Sequence, residues 1–217
     1  MPINLVLIGP PGVGKGTQAG LLTDRLGLVH LASGDVFRGE IAAGTDLGRV
    51  ASGYIERGEL VPDDVTIGMM ESRFTTEEAK TSGFVLDGFP RTVAQAVALD
   101  ARLEALGTVV ARVVSLEAPD DVVVARLSGR RTCLNCGAVF HIVTMPPMQD
   151  GVCDDCGSKL VTRTDDREET IRQRLAVFHT QTQPVLGYYA ETGKLFRVDG
   201  RGAIEDVYRA AIGGLRV

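Results

Sequence analysis

The chain has 217 residues, 44% of them hydrophobic, and a formal net charge of −5. This length allows one substantial core with an insertion or two. The negative charge argues against a general nucleic-acid-binding or membrane-surface protein, because both need a positive field. The first apolar run is too short for a signal peptide and no window is long enough to span a bilayer, so we expect a cytoplasmic protein.

The first predicted element is a buried strand over residues 3–8, which runs directly into a glycine-rich loop. Residues 9–17 read G-P-P-G-V-G-K-G-T, and a helix is predicted over residues 18–26. Glycines let backbone N–H groups approach an anion, while the helix N-terminus and Lys15 add positive charge. The pattern G-x-x-x-x-G-K between a strand and a helix therefore predicts a phosphate-binding loop rather than an ordinary turn. The hydroxyl that usually follows the lysine comes one residue later, at Thr17, which weakens the case for direct metal ligation by it.

Strands and helices alternate along the rest of the chain. Further strands are predicted over residues 28–32, 84–88, 109–116 and 195–198, and helices over residues 92–106, 120–127, 167–190 and 203–213. This alternation predicts an α/β fold of three layers, with a five-stranded parallel sheet and helices on both of its faces. Ligands of such sheets bind at the carboxyl ends of the strands.

Two regions interrupt the alternation. Residues 35–76 are predicted to be helical in several short pieces and to form a small unit across the sheet edge, with its first helix beginning near Val36. Residues 130–164 have little helical periodicity and contain all four cysteines, so we interpret them as an inserted subdomain. The core would then consist of residues 1–34, 77–129 and 165–217.

A second motif, D-G-F-P-R, occupies residues 87–91. Asp87 ends a predicted buried strand beside the phosphate loop, where a carboxylate can hold the water shell of Mg²⁺. The alternative role of this carboxylate is a helix N-cap. If Asp87 serves the metal, Arg91 would direct its guanidinium at a phosphate.

Arginines recur near the predicted site although the protein is acidic. Arg126 and Arg130 have the i, i+4 spacing of residues that share a helix face, and Arg163 and Arg174 follow on the other side of the insertion. Such an array suits a transition state whose negative charge spreads over several phosphoryl oxygens. The alternative for any single arginine is a solvated surface charge.

The four cysteines form two C-x-x-C-G motifs, Cys133 with Cys136 and Cys153 with Cys156. Their spacing is typical of a structural zinc site with four thiolate ligands and no open position. An iron centre and a pair of disulfides are the alternatives, and a reducing cytoplasm disfavours the disulfides. A subdomain of about 35 residues is too small to build its own core without such a staple.

Five motifs, read in chain order, together resemble the adenylate kinase family, in its long form with a zinc-bearing lid. They are G-P-P-G-V-G-K-G-T-Q, A-S-G-D-V-F-R, F-V-L-D-G-F-P-R, S-G-R-R and R-T-D-D-R-E-E-T-I-R-Q-R. The resemblance implies Mg²⁺-dependent phosphoryl transfer from ATP to AMP, which gives two ADP. It also implies a structural Zn²⁺ and a helical unit that binds the nucleoside monophosphate (NMP). We expect a monomer with no nucleic-acid or membrane partner.

The resemblance also implies roles for individual residues. The donor phosphates would be held by Gly12, Val13, Gly14, Lys15, Gly16 and Thr17. AMP would be bound by Ser33, Arg38, Arg91 and Gln95, with Gly58, Val61 and Gly88 lining its adenine pocket. The transferring phosphoryl would be surrounded by Arg126, Arg130, Arg163 and Arg174. Asp87 would order the Mg²⁺ waters, Asp165 and Asp166 would help to position the lid, and the backbone near Gly202 would meet the ATP adenine.

Other functions remain as alternatives at this point. A GTP-binding switch would share the phosphate loop, but the chain has no N-K-x-D element for guanine. A zinc-ribbon nucleic-acid module would share the cysteines, but the acidic balance argues against it. The nearer alternative is another nucleoside monophosphate kinase, with UMP or CMP as acceptor or GTP as donor.

Overall fold

The computed structural model of the protein describes residues 2–213 and 215. Within them, five parallel strands form the main sheet in the order β2-β3-β1-β4-β8, and three antiparallel strands form a small sheet in the order β6-β5-β7. The strands are β1 (Ile3–Ile8), β2 (Val29–Ala32), β3 (Gly83–Asp87), β4 (Arg112–Glu117), β5 (Arg130–Cys133), β6 (Val139–His141), β7 (Leu160–Val161) and β8 (Leu195–Asp199).

The helices follow the strands in the alternation that the sequence predicts. They are α1 (Lys15–Leu26), α2 (Ser33–Ala43), α3 (Asp46–Arg57), α4 (Asp63–Phe74), α5 (Glu77–Ser82), α6 (Val93–Ala105), α7 (Asp120–Ser128), α8 (Glu168–Val177), α9 (Gln183–Glu191) and α10 (Ile204–Ile212). A 3₁₀ turn, Thr164–Asp166, precedes α8, and a π-helical segment, Phe178–Thr182, joins α8 to α9.

The core lies on both faces of the main sheet. Val6 and Ile8 of β1 are buried with apolar residues of α4, α6 and α9, whereas Leu5 and Leu7 are buried with those of α1 and α10. Successive side chains of a strand point to opposite faces, so this division shows that β1 is covered on both sides. The predicted three-layer α/β fold with a five-stranded parallel sheet is confirmed.

Several elements differ from the sequence prediction. The predicted helix over residues 167–190 is divided by the π-helical segment, because Pro184 has no N–H to donate and its ring clashes with the carbonyl one turn earlier. The fourth strand begins at Arg112 rather than at residue 109, since the Asn4 side chain binds Thr108 Oγ1 and the Val109 carbonyl in place of a ladder. Helix α5 was not predicted.

The region predicted to be a small helical unit forms α2, α3 and α4. Its last helix packs on the core, where the rings of Phe74 and Phe84 lie 5.9 Å apart between centroids. Helix α2 begins at Ser33, three residues before the predicted start near Val36.

The inserted region forms the small antiparallel sheet. Many of its apolar residues are exposed, and its small core consists of Cys133, Phe140, Cys153 and Leu160, which are buried together. None of the helices that the structure describes is long and apolar enough to cross a membrane.

Candidate active site

The glycine-rich loop connects β1 to α1 at the carboxyl end of the sheet. Lys15 is the first residue of α1, and its Nζ donates to the carbonyl oxygens of Gly9 at 2.8 Å and Pro10 at 2.9 Å. Gly12 has φ +76°, and a Cβ there would lie 2.5 Å from Leu127 Cγ, so both conformation and space require glycine. The loop therefore has the helix N-terminus and the lysine of a phosphate site in place.

Lys15 and Asp87 influence each other's ionisation. Burial lowers the pKa of Lys15 to about 8, although the nearby Asp87 carboxylate opposes this. Burial alone would raise the pKa of Asp87, but the neighbouring His30 and Lys15 side chains outweigh it, so the pKa falls below its ordinary value. Asp87 is therefore ionised at neutral pH and available to a cation.

Asp87 also lies close to the phosphate loop. Its Oδ2 is 3.7 Å from the place where a Cβ on Gly16 would be, and 3.7 Å from His30 Nε2. A carboxylate beside a phosphate-binding loop fits a hydrated Mg²⁺. Sequence reasoning missed His30, because its link to Asp87 depends on the pairing of β2 with β3, which the sequence alone does not specify.

The arginines converge from different elements. Arg130 Nε and Nη2 donate to the Asp166 carboxylate at 2.8 and 2.6 Å, and Arg174 Nη1 lies 2.8 Å from Asp165 Oδ2. Arg91 Nε donates to the Gly88 carbonyl at 2.7 Å, and Arg163 Nε donates to Thr132 Oγ1. Asp165 and Asp166 are buried, so these carboxylates serve as anchors for the arginine side chains.

The predicted pairing of Arg126 with Arg130 on one helix face is wrong. Helix α7 ends at Ser128, so Arg126 is in its last turn whereas Arg130 begins β5. Arg126 Nη1 instead donates to the carbonyls of Val13 at 3.1 Å and Gly200 at 2.9 Å. Arg126 thus links the phosphate loop to the turn after β8, which contains Gly202.

Positive charges are crowded in this cluster. Burial and the neighbouring Arg174 lower the pKa of Arg91 to about 10, against the attraction of Asp87. Burial and Arg38 lower the pKa of Arg163 to about 10. Both guanidinium groups remain charged at neutral pH, in surroundings that disfavour their charge. A bound polyanion would relieve this unfavourable arrangement.

Two adjoining pockets meet at this cluster. The two pockets share five of their lining residues, Gly58, Leu60, Gly88, Arg91 and Arg174. The first, with about 510 Å³ of empty space, extends to Lys15 and the π-helical segment. The second, with about 580 Å³, extends to Ser33, Phe37, Arg38, Val61 and Gln95. The second pocket has an apolar part beside three arginines, which suits a base and a phosphate, and the first brings Lys15 together with Arg91 and Arg174, which suits a phosphate.

The second pocket is shaped by contacts between elements. Ser33 Oγ donates to the Gly88 carbonyl at 2.7 Å. Gly58 ends α3 with φ +73°, and a Cβ there would lie 2.9 Å from Arg174 Cγ and 3.1 Å from the Thr170 carbonyl oxygen. The helical unit therefore lies directly against α8 at Gly58.

The four cysteines lie together in the inserted subdomain. Their Sγ atoms are all within 4.8 Å of one another, with 3.4 Å between those of Cys133 and Cys156 and 3.6 Å between those of Cys136 and Cys153. These separations are far longer than a disulfide bond and close to the value of about 3.8 Å expected around tetrahedral zinc. Four thiol donors this close together fit Zn²⁺.

The two cysteine turns share one backbone conformation. The amide of Gly137 donates to the Cys133 carbonyl at 3.0 Å, and that of Gly157 donates to the Cys153 carbonyl at 2.9 Å. Both glycines have positive φ, 80° and 71°, as the left-handed turn after each pair requires.

Comparison with known proteins agrees with this geometry. A sequence model of the adenylate kinase family matches residues 7–194. Proteins named adenylate kinase are 50% identical in Acidothermus cellulolyticus and 49% identical in Streptomyces griseus, each over 99% of this chain and 98% of the relative. A third, from Archaeoglobus fulgidus, is 45% identical over 95% of both chains.

The chain belongs to the adenylate kinase family. It is therefore an enzyme, a phosphotransferase that acts on nucleotides, and the family assignment made from its motifs is confirmed. The GTP-binding switch and the zinc-ribbon nucleic-acid module gain no support from any of these relatives.

Proposed function

We propose that this enzyme transfers the terminal phosphoryl group of Mg²⁺-bound ATP to AMP, reversibly, and so produces two ADP. The observation that carries the proposal is the cluster of cations at and around the two adjoining pockets. Within the described residues, Lys15, Arg91, Arg126 and Arg163 form no ion pair with a carboxylate. Their charge is thus available to the phosphates of two nucleotides.

The donor nucleotide is assigned to the phosphate loop. Backbone N–H groups of residues 12–17 and the Lys15 ammonium would hold its phosphates. Arg126 spans from Val13 to Gly200, so it can meet both the loop and the base bound near Gly202. Asp87 would hold Mg²⁺ through its water shell, and the bound cation would offset negative charge on the phosphates.

The acceptor AMP is assigned to the second pocket. Arg38 and Arg91 would bind its phosphate, and Ser33, Gly58, Val61, Gly88 and Gln95 surround the space for its ribose and base. The AMP phosphate is mostly a dianion near neutral pH, because its second pKa is about 6. The reaction therefore needs no general base.

Catalysis then depends on positioning and charge. Arg174 lines both pockets, and Arg130 and Arg163 belong to the same charged cluster, where negative charge would grow on the transferring phosphoryl. Asp165 and Asp166 hold Arg174 and Arg130 and so fix where their charge is directed. Closure of the inserted lid and of the NMP-binding unit over the reactants would exclude water, which is a competing acceptor.

We also propose a structural Zn²⁺ on Cys133, Cys136, Cys153 and Cys156, and a monomer that works in the cytoplasm. The donor set of four thiols supports zinc over magnesium or calcium, which prefer oxygen. Free thiols at this spacing are typical of metal sites in reducing compartments.

The test is a coupled assay of purified enzyme with a panel of nucleotides. We expect AMP to be the preferred acceptor over UMP and CMP, and ATP to be an efficient donor in the presence of Mg²⁺. Comparable kcat/KM values for UMP or CMP would instead support a pyrimidine monophosphate kinase. A higher value for GTP than for ATP would overturn the donor assignment.

A further inference from the structure

We propose that Asp63 is a positioning residue that fixes the amide of Gln95, and so determines which purine edge the acceptor pocket accepts. The inference rests on the proposed binding of AMP in this pocket. Asp63 is the first residue of α4, whereas Gln95 lies in the first turn of α6. The carboxylate therefore joins the NMP-binding unit to the core beside the pocket.

Three hydrogen bonds connect these side chains. Gln95 Nε2 donates to Asp63 Oδ1 at 2.7 Å, and Thr92 Oγ1 donates to Asp63 Oδ2 at 2.8 Å. On its other side, Gln95 Oε1 accepts from the backbone N–H of Arg91 at 2.7 Å. Gln95 is only 1% exposed, so bulk water cannot replace these partners.

The partners leave the Gln95 amide one orientation. A backbone N–H can only donate and an ionised carboxylate can only accept, so the oxygen of the amide must face Arg91 and its nitrogen must face Asp63. Turning the amide over would place two donors together and two acceptors together, which leaves buried polar groups unpaired. Asp63 thus holds Gln95 in a defined donor and acceptor order.

This order matters because the amide also lines the pocket. Oε1 keeps a second lone pair and Nε2 keeps a second N–H, which can meet a neighbouring donor and acceptor on a base. The edge of adenine offers an amino donor beside a ring acceptor, whereas hypoxanthine offers a carbonyl acceptor beside an N–H donor. A fixed amide matches one of these edges, and for an enzyme that phosphorylates AMP the matching edge is that of adenine.

The experiment compares AMP with inosine monophosphate in steady-state kinetics of wild type and Asp63→Leu. We expect Asp63→Leu to raise KM for AMP about tenfold with kcat largely kept, and to lower the AMP preference in kcat/KM by about tenfold. Inhibition by ribose 5-phosphate, which has no base, should stay within about twofold of wild type. Asp63→Ala tests the same point without added bulk.

Two further variants separate orientation from charge. Asp63→Asn keeps an oxygen for Gln95 Nε2 and offers an amide to Thr92, so it should retain most of the AMP preference. Asp64→Leu removes the exposed neighbouring carboxylate from the same helical turn, and it should leave the preference unchanged.

Any of three results would overturn the inference. One is an unchanged AMP preference in both Asp63→Leu and Asp63→Ala, and another is a loss in Asp63→Asn as large as that in Asp63→Leu. Equal weakening of ribose 5-phosphate and AMP would also overturn it, because the whole pocket would then have changed. Failure of the proposed function looks different, since wild type itself would then not prefer AMP.

Discussion

At the residue scale, Lys15 occupies the position where the sheet, the loop and the arginine cluster meet. Its Nζ is bound to two loop carbonyls, and it lies close enough to Asp87 and Arg91 for both charges to affect its pKa. A lysine in such a place makes its contacts to the loop before substrate arrives. Its charge is therefore preorganised for phosphate rather than recruited by it.

Lys15→Met should reduce kcat by about a hundredfold or more, because a preorganised charge at a reacting phosphate contributes several kcal/mol to transition-state stabilisation. The measurement is steady-state turnover of the purified variant with ATP and AMP. Lys80→Met, at an exposed lysine paired with Glu77, is the control and should behave as wild type. Turnover of Lys15→Met within about threefold of wild type would contradict the role assigned to the loop.

The same substitution should stabilise the nucleotide-free protein at neutral pH. The pKa of Lys15 is about 8 in the folded protein against 10.5 ordinarily, so the folded state binds its proton less tightly than the unfolded state does. Below pH 8 the charged lysine therefore costs stability, and this cost disappears as pH rises from 8 to 10.5. The melting temperature of Lys15→Met should exceed that of wild type at pH 7, and the gap should narrow above pH 8. A gap that widens with pH would contradict this.

Individual residues of the site differ in how far the sequence predicts them. The cysteine quartet and the phosphate loop depend on short spacings, so their members could be named in advance. The ion pairs of Arg130 and Arg174 join residues that are far apart in the sequence or depend on where a helix ends. The sequence predicts a role for Asp165 and Asp166 in positioning the lid, but not which arginine each of them binds. His30 and Asp63 act through the pairing of strands and helices, which leaves no local signal.

At the element scale, the contact of α3 with α8 places the acceptor pocket. Gly58 ends α3 in the left-handed region, and its lack of a Cβ lets it approach Arg174 and Thr170. Arg174 itself lines both pockets. Separation of these two helices would therefore move a cation away from both nucleotides.

Gly58→Ala should raise KM for AMP about tenfold, since the added Cβ would lie 2.9 Å from Arg174 Cγ. Gly44→Ala is a matched control, because Gly44 ends α2 with φ +66° and has no atom within 4 Å of the added Cβ. Both variants should lose about 1 to 2 kcal/mol of unfolding free energy from the left-handed conformation. Urea unfolding and AMP kinetics measure the two effects. Equal KM values in the two variants would show that the contact does not shape the pocket.

Helix boundaries show why the prediction of elements was incomplete. The pattern of residues 167–190 is helical throughout and predicts one helix. In the structure, Pro184 is accompanied by a wide π turn rather than by a full break, and the sequence pattern does not show this turn. Helix α5 is only six residues long, too short for its periodicity to be recognised. The longer strands and helices, which bury a clear apolar face, were found in the right order.

At the scale of the whole molecule, the sequence predicts the fold class well, because alternating strands and helices permit few topologies. The strand order β2-β3-β1-β4-β8 was not predicted, since it depends on long-range pairing. The boundaries of the NMP-binding unit and the lid also remain a proposal. Helix α4 packs on α6 through buried residues such as Met70, so this end of the unit is continuous with the core.

The last prediction concerns the lid, whose small core is separate from the clusters that flank the main sheet. Among the described residues, only four buried apolar side chains, two of them cysteines, form that core, so the proposed zinc would have to supply most of its stability. We expect one tightly bound zinc per chain by elemental analysis. Its removal should lower the melting temperature and loosen the lid, while the phosphate loop and Arg91 stay intact and turnover at modest temperature largely survives.

The coordination of the metal explains why its removal should affect stability more than turnover. Four thiolates would fill a tetrahedral shell and leave no position for water or substrate, so the proposed zinc could act only through the stability of the lid. Cys136→Ser lacks one of the four thiol ligands. A chelator should therefore lower the melting temperature of this variant much less than that of wild type. The structural assignment would fail if no metal were found. It would also fail if chelation at low temperature, with Mg²⁺ restored and the fold retained, abolished activity.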